Sequence, residues 1–237
     1  MGRAVNRLCT VCGRGGSKGV ANKNLRLVRG EPLIAHTLHQ ALATGLFDVI
    51  AVSSDSRAIL DAAGRAGATR LIERPAELAS DTASKIAAIH HAVTTAEALE
   101  ARRFDVLVDL DATSPLRLPA DIAAAVGLLE ARPGSNVITA APARRSPYFN
   151  MVEVDDEGHV RLVKPLANLV YRRQDTPRCF DMNASIYVWR RDAFVTDPKL
   201  FYPDTMLHVM PAERSLDIDS ELDFAIVKFL MERQSDV

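Results

Sequence analysis

Residues 9–26 read CTVCGRGGSKGVANKNLR and place three kinds of chemistry in one short stretch. Cys9 and Cys12 stand at C-x-x-C spacing. Gly13, Gly15, Gly16 and Gly19 could let backbone N–H groups crowd around an anion, and Arg14, Lys18, Lys23 and Arg26 supply positive charge. A redox or zinc C-x-x-C needs both sulfurs on one face. Here the alternation over residues 5–11 predicts a strand, on which positions three apart point to opposite faces, and Cys179 is the only other cysteine. The pair therefore reads as core. The Walker pattern G-x-x-x-x-G-K-[ST] is absent, because no Gly-Lys-Ser/Thr triplet ends the loop, and G-x-G-x-x-G fits only in part. What remains is a cationic, glycine-rich loop after a first strand, which suits a triphosphate.

Two acidic pairs add a second chemistry. Asp217 and Asp219 are alternate residues at what reads as a strand end, so both carboxylates can face one side. Hard oxygen ligands at that spacing suit Mg²⁺, with Mn²⁺ as the alternative, bound together with phosphate oxygens and water. A competing reading makes Asp219 the N-cap of the final helix, and the two roles can coexist. Asp109 and Asp111 repeat the spacing, and D-x-D at a strand end also marks glycosyltransferases that hold Mn²⁺ and consume a nucleotide-sugar. The six histidines (36, 39, 90, 91, 159 and 208) form no ligand set, and Ser53-Ser54-Asp55 has no base beside it and reads as a turn or cap.

These residues need a scaffold. The chain has 237 residues, 48% of them hydrophobic, enough for one continuous core. With 29 Lys and Arg against 30 acids the formal charge is −1, which gives no bulk case for nucleic acid or a membrane surface as partner. Three cysteines, a polar MGRAVNRL start and no apolar run near the roughly 20 residues that span a bilayer lead us to expect a cytoplasmic protein. Strand-like segments at 5–11, 48–52, 105–110 and 136–140 alternate with helical ones at 32–43, 56–66, from 81 onward and at 119–129. Such alternation predicts an α/β fold, a doubly wound and mostly parallel sheet of Rossmann-like type. Its ligand loops, 13–24, 53–56 and 111–117, should share the rim at the carboxyl ends of the strands.

After Pro142 the pattern breaks. Residues 149–154 and 159–163 flank DDEG and read as a hairpin. The polar stretch to Arg178 reads as an inserted arm, so that residues 1–142 and 179–237 form the main domain and 143–178 protrude from it. Strands at 185–189 and 207–210 and a final helix at 220–232 complete the reading.

Six blocks in order resemble the acylneuraminate cytidylyltransferases, the CMP–sialic acid synthetases and their legionaminic and pseudaminic relatives. They are Arg14-x-x-Ser17-Lys18-Gly19 with Lys23-Asn24; RPAELASDTAS at 74–84; Thr113-Ser114-Pro115-Leu116-Arg117; Arg173-Gln174-Asp175 with Pro177; Asn183-Ala-Ser-Ile-Tyr187; and Asp217-Ile218-Asp219 with Asp223-Phe224. The resemblance implies CTP-dependent activation of a nine-carbon 2-keto sugar acid with release of pyrophosphate. By that likeness Arg14, Lys23, Asp217 and Asp219 are the catalytic set, and the two aspartates hold the metal. Arg14, Gly15, Ser17, Lys18, Lys23, Asn24, Arg74, Ala83 and Ser84 are expected to hold CTP. Asp111, Thr113, Ser114, Arg117, Gln174, Asn183 and Tyr187 are expected around the sugar. The arm would make a homodimer and lend Lys164, Arg172 and Arg173 to the neighbour's sugar site. Two positions depart from the pattern: Asp111, where many relatives carry Gln, and Lys85, where they often carry Ser. A non-catalytic nucleotide-binding protein is the remaining alternative.

Overall fold

The computed structural model describes residues 4–168 and 171–233. The segment RLCTVC forms β1 (Arg7–Cys12), whose four inner residues are buried, as the middle strand of a covered sheet requires. The glycine-rich loop follows, then a short 3₁₀ turn at Lys23–Leu25 and a small ribbon of β2 (Leu27–Val28) and β3 (Glu31–Pro32). The alternation then runs through α1 (Leu33–Thr44), β4 (Val49–Ser54), α2 (Arg57–Arg65), β5 (Arg70–Glu73), α3 (Lys85–Glu100), β6 (Val106–Leu110), α4 (Pro119–Ala131) and β7 (Asn136–Pro142). A separate hairpin of β8 (Val152–Val154) and β9 (Val160–Leu162) comes next. The chain ends with β10 (Phe180–Arg190), α5 (Arg191–Thr196), β11 (Met206–Val209) and α6 (Glu221–Arg233).

The main sheet has seven strands in the order β11-β7-β10-β6-β1-β4-β5. Every neighbouring pair is parallel except the two made by β10, which runs antiparallel to both β6 and β7. Since β7 ends and β10 begins at the rim where the parallel strands end, the excursion from 143 to 179 leaves and returns at the rim that carries the glycine-rich loop. The two faces bury different sets. Cys9, Val11, Ile34, Leu38, Ile59 and Ile122 lie under α1, α2 and α4, whereas Leu8, Ala51, Ile89, Val93, Trp189 and Phe194 lie under α3 and α5. A third cluster ties Val20, Leu33, Leu116 and Ile218 to Phe224 and Val227 of α6, and so joins the glycine-rich loop to the C-terminal helix.

Several expectations change. The helix expected from Asp81 begins at Lys85, because residues 76–78 form a 3₁₀ turn and the Asp81 carboxylate is held by Arg14 and Lys18 instead of capping a helix. Residues 215–219 are not a strand end but irregular chain. The expected hairpin is shorter than its sequence pattern, and its Val152, Val154 and Val160 are more than half exposed. Strand β5 and helix α5, too short to show a period, were not foreseen. Among the described residues no helix is long and apolar enough to cross a membrane.

Candidate active site

The glycine-rich loop is pinned at both ends. Its Gly13 N–H donates to the Ser53 carbonyl at 3.1 Å and its Gly15 N–H to Asp55 Oδ1 at 2.9 Å. Asn24, almost fully buried, sends its Nδ2 to the Arg14 carbonyl at 3.1 Å, while its Oδ1 has no partner. Gly19 lies against the backbone of the 217–219 loop so closely that a Cβ there would stand 1.9 Å from the Asp219 carbonyl oxygen. This is the one glycine in the loop that backbone contact demands. The approach brings Arg14, Ser17, Lys18, Lys23, Asn24, Thr113 and Asp219 around one cavity of about 240 Å³.

The cations already have carboxylate partners. Arg14 Nη1 lies 2.7 Å from Asp81 Oδ1 and Lys18 Nζ 2.7 Å from Asp81 Oδ2, and Lys18 and Arg14 hold the carboxyl of Asp81 below its ordinary range. Lys23 Nζ donates to the Ile218 carbonyl and lies 3.6 Å from Asp219 Oδ1. Arg26 is turned away: it pairs with Glu221 at 2.9 Å and stacks on the Phe224 ring, so it anchors α6 and does not face the cavity.

The acidic loop is held from the middle. Ile218 is fully buried and its N–H donates to the Thr113 carbonyl at 3.0 Å, which leaves Asp217 and Asp219 on either side of it. The cap of α6 belongs to Ser220 and Asp223: Ser220 Oγ accepts from the Asp223 N–H at 3.2 Å, and Asp223 Oδ2 accepts from the Ser220 N–H at 2.8 Å. Asp219 is therefore not the cap, and its side chain is 79% exposed. Burial, then the charge of Asp219, raise the pKa of Asp217. Among the described residues no cluster of three His, Cys, Asp or Glu side chains could hold a metal ion. Of the two aspartates, Asp219 lines the phosphate cavity, and an exposed carboxylate there fits Mg²⁺, which takes only one or two from protein.

A second cavity of about 230 Å³ shares Cys12 and Arg14 with the first and is lined further by Arg74, Ala83, Ser84, Lys85 and Asp111. Arg74 is nearly buried, with Nε on Ser53 Oγ and Nη2 on the Ser53 carbonyl. This explains Ser53 without a nucleophile. Cys12 is only half-buried and walls both cavities, while Cys9 lies in the core; burial and then Asp109 raise the Cys12 pKa, so it stays a neutral thiol.

The two positions that depart from the family pattern touch each other. Lys85 Nζ stands 2.7 Å from Asp111 Oδ2 and 3.5 Å from Asp109 Oδ2. An ammonium thus sits between the D-x-D carboxylates where the glycosyltransferase reading needs a metal, and that reading is set aside. Burial alone would lower the Lys85 pKa, but Asp111 and Asp109 outweigh it and raise the value, so Lys85 is a fixed cation and no base. For Asp111 burial is likewise overturned, here by Lys85, and the pKa falls; for Asp109 burial wins and the pKa rises.

Four residues expected at the sugar are enclosed. Arg117 is 1% exposed, and it reaches the Ser185 carbonyl at 2.7 Å, Thr37 Oγ1 at 2.7 Å and the Asp111 carbonyl at 2.5 Å. Burial brings its pKa down to about 10. Ser114 Oγ donates to the Asn183 carbonyl, and the Asn183 amide is used on Thr139, Ser185 and Ser215. Tyr187 is buried beside Trp189, with its ring 5.1 Å from Lys85 Nζ. All four are enclosed, and Ser114 and Arg117 hold loop 111–117 to β10 through the Asn183 and Ser185 carbonyls. Asp111 and Thr113 are the members of the set that line the cavities. The arm residues lie elsewhere. Gln174 and Arg173 border a separate hollow with Arg145 and Arg178, Arg172 pairs with Asp175 at 2.9 Å, and Lys164 lies over the Tyr148 ring.

Asp81, the carboxylate that pairs with Arg14 and Lys18, is the neighbour to which the sequence assigns no role beyond a helix start. It sits in the turn before α3, whose first residue is Lys85, and a charge at the head of a helix following a sheet rim is the available signal.

Residues 8–210 match the family model described as cytidylyltransferase. The chain is 43% identical over 228 residues to post-translational flagellin modification protein B of Campylobacter coli, covering 96% of each. It is also 43% identical over 224 residues to CMP-N,N'-diacetyllegionaminic acid synthase of Campylobacter jejuni, covering 94% of each. Among solved structures, CMP:2-keto-3-deoxy-manno-octonic acid synthetase complexed with CTP aligns over 97% of this chain and 99% of its own with a TM-score of 0.69. At 16% identity that likeness speaks for the fold alone.

Proposed function

The chain belongs to the cytidylyltransferase family, and from that premise we propose that it activates a nine-carbon 2-keto sugar acid, a sialic acid or related nonulosonate, with CTP. The products are the CMP-sugar and pyrophosphate. One observation carries the reading: the close seat of Gly19 on Asp219 makes a single cavity from three cations and the exposed carboxylate. A polyphosphate chelating a divalent cation is the guest that satisfies both signs of charge at once.

The anomeric hydroxyl of the acceptor attacks the α-phosphorus in line, and the bond to the β-phosphate oxygen breaks. Such a transfer asks the protein for positioning and charge neutralisation rather than covalent chemistry. Arg14, Lys18 and Lys23 exchange Asp81 and the loop carbonyls for phosphate oxygens, with Ser17 beside them. Asp217 and Asp219 would hold Mg²⁺, which supplies charge neutralisation and polarisation of the phosphates when bound. The cytosine takes the adjoining cavity lined by Arg74, Ala83 and Ser84, and the unpartnered Asn24 Oδ1, at the phosphate cavity beside it, offers a further acceptor to the nucleotide. Asp111 and Thr113 face the acceptor, and Ser114 and Arg117 keep their loop in register on the Asn183 and Ser185 carbonyls of β10.

The exposed valines of β8–β9 support a homodimer in which Lys164, Arg172 and Arg173 reach the neighbour's acceptor carboxylate, arginine by paired N–H donors. A monomer with full activity would overturn that shared site. The reading as a whole is tested by pyrophosphate release from CTP and Mg²⁺ across sialic, legionaminic, pseudaminic and 3-deoxy-octulosonic acids. Release with a nonulosonate and CTP, and little with UTP, is expected. No release with any of the four acids overturns it.

A further inference from the structure

Three cations line the phosphate cavity, and each is held by oxygens of the protein. Lys23 is held by the loop that carries Asp219, a residue of the same cavity. Arg14 and Lys18 are held differently. Asp81 takes them at 2.7 Å on its two oxygens, and Asp81 lines the second cavity rather than the first. Arg14 Nη1 also donates to the Ser80 carbonyl at 3.3 Å, and the same carbonyl closes the turn by accepting the Ala83 N–H at 3.2 Å. The turn before α3 is thus fastened to the glycine-rich loop by two cations, one carboxylate and one carbonyl.

The loop has other supports. Gly13 and Gly15 are tied to Ser53 and Asp55, Gly19 rests on Asp219, and Val20 is buried with Leu33 and Ile218. The side chains of Lys18 and Asp81 are 76% and 48% exposed, where an ion pair adds little to folding. The effect of Asp81 is on the ligand. It cancels one positive charge beside the cavity, and an anion that takes Arg14 and Lys18 must displace it. Such a competitor weakens the hold on triphosphate and on pyrophosphate alike. For CTP the base and ribose supply further contacts. Pyrophosphate has neither, so the cations are its main hold, and their recapture by a neighbouring carboxylate speeds its departure. In many enzymes that departure, and not the chemistry, sets kcat.

Resting on the cytidylyl-transfer reading, we propose that Asp81 is a release latch, a counter-ion that yields Arg14 and Lys18 to the triphosphate and takes them back as pyrophosphate leaves. Asp81 touches no reacting atom in this role. It is a positioning residue that acts through the two cations, and its charge trades affinity for turnover.

Calorimetric titration with inorganic pyrophosphate and Mg²⁺ tests this in wild type, Asp81→Asn, Asp81→Glu, Lys18→Met and the double variant Asp81→Asn/Lys18→Met. Asp81→Asn should bind pyrophosphate tighter by about fivefold, the strength of one good exposed ion pair. Structural damage would weaken binding, so a gain cannot come from misfolding. Asp81→Glu, which keeps the charge, should stay within about twofold of wild type. The gain from Asp81→Asn should shrink in the Lys18→Met background, because the two residues act through one contact. In turnover, Asp81→Asn should lower the CTP KM and lower kcat by about threefold, with a burst of CMP-sugar equal to the enzyme present, since release and not transfer is slowed. Asp81→Ser, with melting curves, stands in if Asp81→Asn does not fold. Pyrophosphate bound no tighter by Asp81→Asn, a gain undiminished by Lys18→Met, or an unchanged kcat without a burst would overturn the latch and leave the transfer reading in place. A wild type that neither binds pyrophosphate nor releases it from CTP with any of the four acids would instead sink the reading on which it rests.

Discussion

Gly19→Ala is the sharpest probe of the phosphate cavity. The added Cβ would stand 1.9 Å from the Asp219 carbonyl oxygen and 3.1 Å from its carbon, both backbone atoms that cannot swing aside. Normal contact begins beyond about 3 Å, so loop and acidic segment must separate by roughly 1 Å, a misplacement that can cost ~100-fold in rate. The two halves of the site ride on different supports. Lys18 and Ser17 move with the loop, whereas Asp217 and Asp219 are held by buried Ile218 through its bond to Thr113. Separation therefore lengthens the distance between the cations and the carboxylates rather than shifting the site as a body. We expect kcat to fall on the order of 100-fold. The control is Gly16→Ala, where a Cβ would meet nothing within 4 Å and activity should stay within about threefold of wild type. Pyrophosphate release with saturating substrates reads both, and thermal melts check the fold. A Gly19→Ala enzyme within threefold of wild type would show that the contact with Asp219 does not set the cavity, and the argument from it would fail.

Other outcomes follow from the same geometry. Arg117→Met strands the Asp111 and Ser185 carbonyls and should cost about 3 kcal/mol or more, seen as a lower urea midpoint. Asp219→Ala should abolish most turnover with little change in melting, because its side chain is exposed and the α6 cap belongs to Ser220 and Asp223; normal turnover would sink the metal assignment. Chelation should stop pyrophosphate release and added Mg²⁺ restore it, while Asp219→Ala should not recover at any Mg²⁺ concentration. Asp121, buried against Arg214 at 2.8 and 2.9 Å, has burial pushing its pKa up and the guanidinium pulling it further down. Its folded pKa is below the unfolded value of about 3.9, so its contribution is full above that pH and is lost as pH falls through the folded pKa. The stability gap between wild type and Asp121→Asn should be constant near neutrality and shrink below about pH 4; a gap that widens in acid would refute the sign.

The residues show how far a linear pattern reaches. Apolar alternation at 5–11, the short apolar run at 48–52 and helical spacing at 32–43 mark elements because each must bury apolar surface whatever its neighbours do. From these came the parallel sheet, the rim that gathers the loops, and the glycine-rich loop as an anion seat. The short pieces β5 and α5 carry too few residues for a period to show. Cys9 and Cys12 took opposite faces as strand geometry requires, but only the fold showed that Cys12 reaches the cavities.

By itself, then, the sequence determined the α/β architecture, the family and the chemistry of the loop, since these depend on residue type and local spacing. The tertiary structure decided which charged groups meet. Lys85 and Asp111 are 26 positions apart, Arg14 and Asp81 are 67, and Lys23 and Ile218 are 195. No local pattern encodes such distances. They are set by the sheet order, which brings the ends of β1 and β6 and the loop before α6 to one rim. It likewise buried Arg117 and Asn183, residues that the resemblance places at the sugar, where β10 meets loop 111–117.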